Sequence, residues 1–74
     1  MDYKFDMEVG KKIRFYRKKL HMTQDQLAAK LQISGCDLPR TAVAKIESGQ
    51  RHIYLYELKI IRDVLKVSFD DLLL

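Results

Sequence analysis

The strongest constraint on this chain lies at residues 22–51, MTQDQLAAKLQISGCDLPRTAVAKIESGQR, where two short helical periodicities flank a break punctuated by Gly and Pro. Thr23 and Gln26 form a T-x-x-Q capping box, so a helix starts near Gln24: the hydroxyl accepts from a first-turn amide while the Gln side chain reaches back to the cap. Leu27, Ala28 and Leu31 then share one face, leaving Gln24, Asp25 and Lys30 to the other. Residues 33–39, ISGCDLP, interrupt the pattern, because Gly35 and Pro39 punctuate it and a residue before proline is pushed toward extended backbone. Pro39 suits the first position of the next helix. In that helix Val43 and Ile46 mark an inner face, while Arg40, Thr41, Ala44, Lys45 and Ser48 gather opposite. Gly49 is expected as the left-handed residue that stops it.

The flanks supply three more helices. The first is expected at 7–19, with Asp6 as N-cap, Glu8 in the first turn, and Val9, Ile13, Tyr16 and Leu20 as a buried stripe. The fourth, about 55–66, repeats Leu58, Ile61 and Leu65, and Tyr54 and Tyr56 at its start are expected to pack rather than to stack on bases. Ser68 and Asp71 form an S-x-x-D start for a fifth, at 69–73, with Phe69, Leu72 and Leu73 on its apolar side. With the central pair at 24–32 and 39–48, the 74 residues read as one all-α domain with a small core.

Charge is unevenly placed. Residues 11–51 carry ten Lys or Arg against Asp25, Asp37 and Glu47, a net +7, whereas residues 1–10 contribute −2 and 52–74 contribute −1. A basic segment that also holds the two-helix unit is the footprint of a nucleic-acid binder; the plainer alternative is a solvated charged face. The second helix of the unit is short enough to enter a major groove about 12 Å wide. The basic first helix could also lie on an anionic membrane, but a core this small needs its apolar stripe.

Catalysis and metal binding are not expected. Cys36 is the single cysteine, so there is no disulfide and no cysteine-based zinc site, which fits a reducing cytoplasm. His21 and His52 lack an i, i+4 partner, Gly10, Gly35 and Gly49 are isolated, and Asp70 and Asp71 belong to a helix start. No apolar run is long enough to cross a membrane, and MDYKFDME is too acidic for an export signal.

TQDQLAAKL, then RTAVAKIESGQR and later VSFDDLL, resemble the Cro/repressor-like, xenobiotic-response-element type of helix-turn-helix transcriptional regulators over residues 9–73. The resemblance implies a compact five-helix, lambda-repressor-like DNA-binding domain, acting without a cofactor as a transcriptional regulator, expected to repress. It implies that Gln24 touches a DNA phosphate, that Arg40, Thr41, Ala44 and Lys45 read bases, and that Arg17 and Glu47 are a structural pair. Ser48, Gln50, Arg51, Lys18 and Lys19 are further phosphate candidates by position.

The turn between the two central helices is longer than the family's usual one by about five residues. Pro39 stands where a capping Ser or Thr is common, and Ala44 replaces a polar base reader, so direct readout is expected from Arg40, Thr41 and Lys45. Arg62 stands where a small apolar residue is common and is expected to snorkel. The leucines 72–74 suggest a homodimer, with recognition helices about 34 Å apart. The alternative is a protein-interaction module, such as the antitoxin or adaptor half of a complex, docking through the loop around Cys36 and the Leu72 to Leu74 end.

Overall fold

A computed structural model describes residues 3–74, so Asp2, counted in the acidic flank, lies outside the described residues. Five helices follow one another: α1 (Tyr3–Lys19), α2 (Gln24–Ile33), α3 (Arg40–Glu47), α4 (Leu55–Leu65) and α5 (Phe69–Leu73), with no strand among the described residues. α1 crosses the inner side of α3 and also meets α4 and α5, while α2 packs between α3 and α4. One core takes Val9 and Ile13 from α1, Leu27 and Leu31 from α2, Val43 and Ile46 from α3, Leu58, Ile61 and Leu65 from α4, and Leu72 from α5.

The helix starts follow local chemistry. Thr23 Oγ1 accepts from the Gln26 N–H at 3.1 Å while Gln26 Oε1 accepts from the Thr23 N–H at 2.8 Å, and Ser68 and Asp71 make the same reciprocal pair. The helix ends are equally local. Gly49, at φ +77°, lets the Gln50 N–H turn back to the Lys45 carbonyl at 2.8 Å, and Gly35 does the same between Cys36 and Leu31. His21 and Lys66 hold the corresponding left-handed position without being glycine, ending α1 and α4.

Three expectations are corrected. α1 begins at Tyr3, and Asp6 is no cap: it points inward, 4% exposed, with one carboxylate oxygen 3.3 Å from His52 Nδ1. The buried stripe runs Asp6, Val9, Gly10, Ile13, Arg17, and Leu20, past the helix end at Lys19, is 42% exposed. Tyr54 and Tyr56 are 59% and 61% exposed and lie nearly parallel, ring centroids 6.1 Å apart. They are excluded because the inner face of α4 starts with Glu57 and Leu58 and continues to Ile61 and Leu65.

The long turn is anchored. Cys36 and Leu38 both insert into the core, so the extra residues between α2 and α3 are fixed to the same apolar centre as the helices they join. Burial pushes the Cys36 thiol up from its ordinary value, helped by the negative charges of Glu57 and Asp37 and opposed by Arg51, which keeps it a neutral core group. The loop therefore offers no cysteine to a docking partner. Pro39 is the N-cap of α3 rather than its first residue, and it makes no side-chain capping bond. Arg62 lies with its guanidinium 4.3 Å from the Phe69 ring and pairs with Asp63, so its charged head is held partly exposed between an aromatic face and a carboxylate.

Candidate nucleic-acid interface

α3 is held from its inner side and bare on its outer one. Val43, Ile46 and Glu47 are buried, whereas Arg40, Thr41, Lys45 and Ser48 are exposed and Ala44 is half-buried. At about 1.5 Å per residue its eight residues span about 12 Å.

What fixes the helix is an ionic cluster at its carboxyl end. Arg17 Nε and Nη2 donate to the two carboxylate oxygens of Glu47 at 2.7 and 2.9 Å, and Arg17 Nη1 donates to the Met22 carbonyl at 2.7 Å. Gln24 Nε2 donates to the same Glu47 at 3.1 Å, so α1, α2 and α3 meet at one carboxylate and Arg17 ties the α1–α2 turn to it. Both Arg17 and Glu47 are 6% exposed. The hydrogen bond to Glu47 raises the Arg17 pKa above its already high value, against burial, so the guanidinium is permanently charged.

Beside this cluster lies a cleft of about 390 Å³ lined by Arg14, Arg17, Gln24, Ala44, Glu47 and Ser48. It brings the start of α2 and the end of α3 together. Arg14 was not among the sequence candidates; its position one turn before Arg17 is the feature that marks it. Lys18, four residues after Arg14, follows onto the same flank of α1. Lys19 diverges, with its Nζ 5.2 Å above the Phe15 ring. Arg40 Nε lies 3.8 Å from Asp25, an exposed pair that holds the side chain only loosely.

Four phosphate candidates are otherwise engaged. Gln24 donates through Nε2 to Glu47, and the Ser48 hydroxyl donates to the Lys45 carbonyl at 3.2 Å. The Gln50 N–H is consumed in the cap of α3, leaving the exposed side chain. Arg51 Nη1 donates to Glu57 Oε1 at 3.0 Å and Nη2 to Oε2 at 3.1 Å, with a further bond from Nη1 to the His52 carbonyl. Glu57 also accepts from the Tyr54 N–H at 3.0 Å. Periodicity could not reveal this pair, because Glu57 reads as an ordinary first-turn acid on an exposed helix start.

Burial alone would raise the Glu57 carboxyl, but the hydrogen bonds from Arg51 and the Tyr54 backbone, with the charge of Arg51, hold it below its usual 4.5. A carboxyl depressed in the folded state contributes stability that is complete above its unfolded pKa and disappears as pH falls through the folded one. Between about pH 5 and pH 3 the wild-type chain should therefore lose stability more steeply than Glu57→Gln. Urea midpoints at several pH values read the difference; parallel curves would mean that Glu57 does not titrate with folding.

Among the described residues no helix is long and apolar enough to cross a membrane, and no group of three or more His, Cys, Asp or Glu is placed to hold a metal ion. The sequence profile of the helix-turn-helix family matches residues 13–72. The chain is 37% identical over 67 residues to the HTH-type transcriptional activator BcrR of Enterococcus faecalis; the match covers 90% of this chain but 30% of that protein. Its fold is similar to the restriction-modification controller protein C.AhdI of Aeromonas hydrophila, with a TM-score of 0.81, 26% identity, and 95% and 94% of the two chains covered. The DNA-binding domain of BldD matches over the whole of both chains at a TM-score of 0.83 and 20% identity, a likeness of fold.

Proposed function

This chain belongs to the helix-turn-helix family, and on that premise we propose that it is a transcriptional regulator that binds double-stranded DNA at a specific sequence, with α3 in the major groove. The observation that carries this reading is the two-sidedness of α3: its inner face is locked through Val43, Ile46 and Glu47, and its outer face presents Arg40, Thr41 and Lys45 with only the half-buried methyl of Ala44 among them. Arg40 and Lys45 would read base edges, with Thr41 and the small Ala44 allowing close approach. Lys18 and Gln50 would hold phosphates, joined by Arg14 across the cleft, with Lys19 at the margin; Gln24 would offer its second amide hydrogen, and Ser48 its hydroxyl once released from the Lys45 carbonyl. Arg51 we reassign to the scaffold, since Glu57 already occupies its guanidinium fork.

The direct test is titration against the chain's own upstream DNA and a scrambled duplex at two salt concentrations. A preference of about 10³-fold or more, weakening with salt, is the expected result; equal weak binding to both would overturn specific recognition. Arg40→Ala should cost about 1 to 3 kcal/mol and relax preference at one base pair, whereas Lys18→Ala should weaken all sequences alike and flatten the salt slope by about one unit. An unchanged operator preference in Arg40→Ala would displace this pose of α3. Repression by occlusion is the mode we propose, and deletion should then raise transcription from the bound promoter; a fall would instead make the chain an activator.

A homodimer on DNA is part of the same reading. Leu55, Tyr54, Tyr56 and Leu73 are exposed at the α4 start and in α5, and a cleft of about 260 Å³ bordered by Ile53, Leu55, Leu58 and Leu73 lies between those elements. A two-fold axis there would pair the patch with its copy. Sedimentation with and without operator reads this directly, a monomer in both overturning it.

A further inference from the structure

Apart from Lys19, which also stands at the margin of the DNA reading, the outer face of α1 is used by neither the fold nor that reading. Phe15 sits in the middle of a long helix yet is 55% exposed, its ring edge-on to Tyr16 with centroids 5.1 Å apart. Beside it is an open cleft of about 540 Å³ lined by Glu8, Lys11, Lys12, Phe15 and Leu74. Leu74, 88% exposed, is held at the rim by its N–H bond to the Asp70 carbonyl. Lys19 adds a third ammonium, over the Phe15 ring itself. The surface is thus an apolar floor with three lysines around it and one acid.

We propose that this face of α1 is a docking surface for an acidic, amphipathic segment of a partner protein, with Phe15 and Leu74 receiving an apolar side chain and Lys11, Lys12 and Lys19 pairing with its carboxylates. Charge complementarity selects the occupant. A second copy brought up across a two-fold axis would set these lysines against their own images. A phosphate backbone would pair with the lysines but leave Phe15 and Leu74 uncovered. An anionic bilayer would press its headgroups against Glu8 as well as against the lysines. Arg14 projects from a different side of α1 into the cleft beside α3, so a partner here leaves the α3 face open.

The test uses the whole chain and a synthetic amphipathic helix with Glu on its polar face and Leu on the other. Controls are a Lys-for-Glu version, a Ser-for-Leu version and vesicles of anionic lipid. The acidic peptide should shift the backbone resonances of Lys12, Phe15 and Leu74, and bind more weakly as salt is raised. Phe15→Ser should weaken it by about tenfold or more while leaving thermal stability and DNA affinity as they were. Equal binding of the basic peptide, shifts confined to α3, no shift at all, or preference for the vesicles would each overturn the proposal. Loss of self-association in Phe15→Ser would do so too, by assigning the face to a second copy. DNA titration of the unmodified chain is read separately, so failure of either idea is visible on its own.

Discussion

Glu47→Ala should lower stability by about 3 to 5 kcal/mol, enough to remove a large part of the roughly 4 to 11 kcal/mol expected of a domain this size. The reason is what the substitution leaves behind. Arg17 would keep its charge at 6% exposure with only the Met22 carbonyl as partner, and Gln24 would lose its acceptor. Desolvation of the guanidinium was compensated by two hydrogen bonds to one carboxylate, and the uncompensated charge must now draw in water or unfold the corner where α1, α2 and α3 meet.

The same argument predicts that Arg17→Met combined with Glu47→Leu costs much less than Glu47→Ala alone, because no charge is stranded. Urea unfolding of the three proteins gives the comparison. A loss below about 1 kcal/mol for Glu47→Ala would class the pair with ordinary surface ion pairs.

That cluster also shows where sequence stops being sufficient. Thr23 with Gln26, and Ser68 with Asp71, are legible because each capping box closes within three residues. Arg17 and Glu47 are 30 positions apart, and only the resemblance to a known family pairs them in advance. Asp6 misleads for the complementary reason: a short acid before an apolar run looks like a cap, and its partner His52 lies 46 positions away. Leu20, Tyr54 and Tyr56 read as packing residues by apolar character, but the inward positions are taken by Gly10, Arg17 and Glu57, which a search for apolar periodicity passes over. The outward face of α3 was legible, being short and local. The cleft that adds Arg14 to it depends on how α1 crosses α3.

Gly10→Ala tests that crossing. In an isolated helix the change would stabilise by about 0.5 to 1 kcal/mol, since glycine gives up more backbone freedom than alanine on becoming helical. Here the sign should reverse. A Cβ at residue 10 would fall onto the carbonyl oxygens of Ile46 and Glu47, which are backbone atoms at the end of α3 and cannot turn aside as a side chain would. α1 and α3 must separate, and Arg17, two turns further along α1, must then reach farther for Glu47. Overpacking of this kind costs about 1 to 3 kcal/mol, and contact with rigid backbone puts Gly10→Ala near 3, well beyond the propensity gain. Because the strain lands on α3, the proposed recognition helix, DNA affinity should fall even at temperatures where the variant is fully folded. Unfolding and DNA titrations on one preparation separate the two effects. A Gly10→Ala protein as stable as the wild type would mean that α1 does not cross α3 at this distance, and the placement of Arg14 beside the cleft at the end of α3 would fall with it.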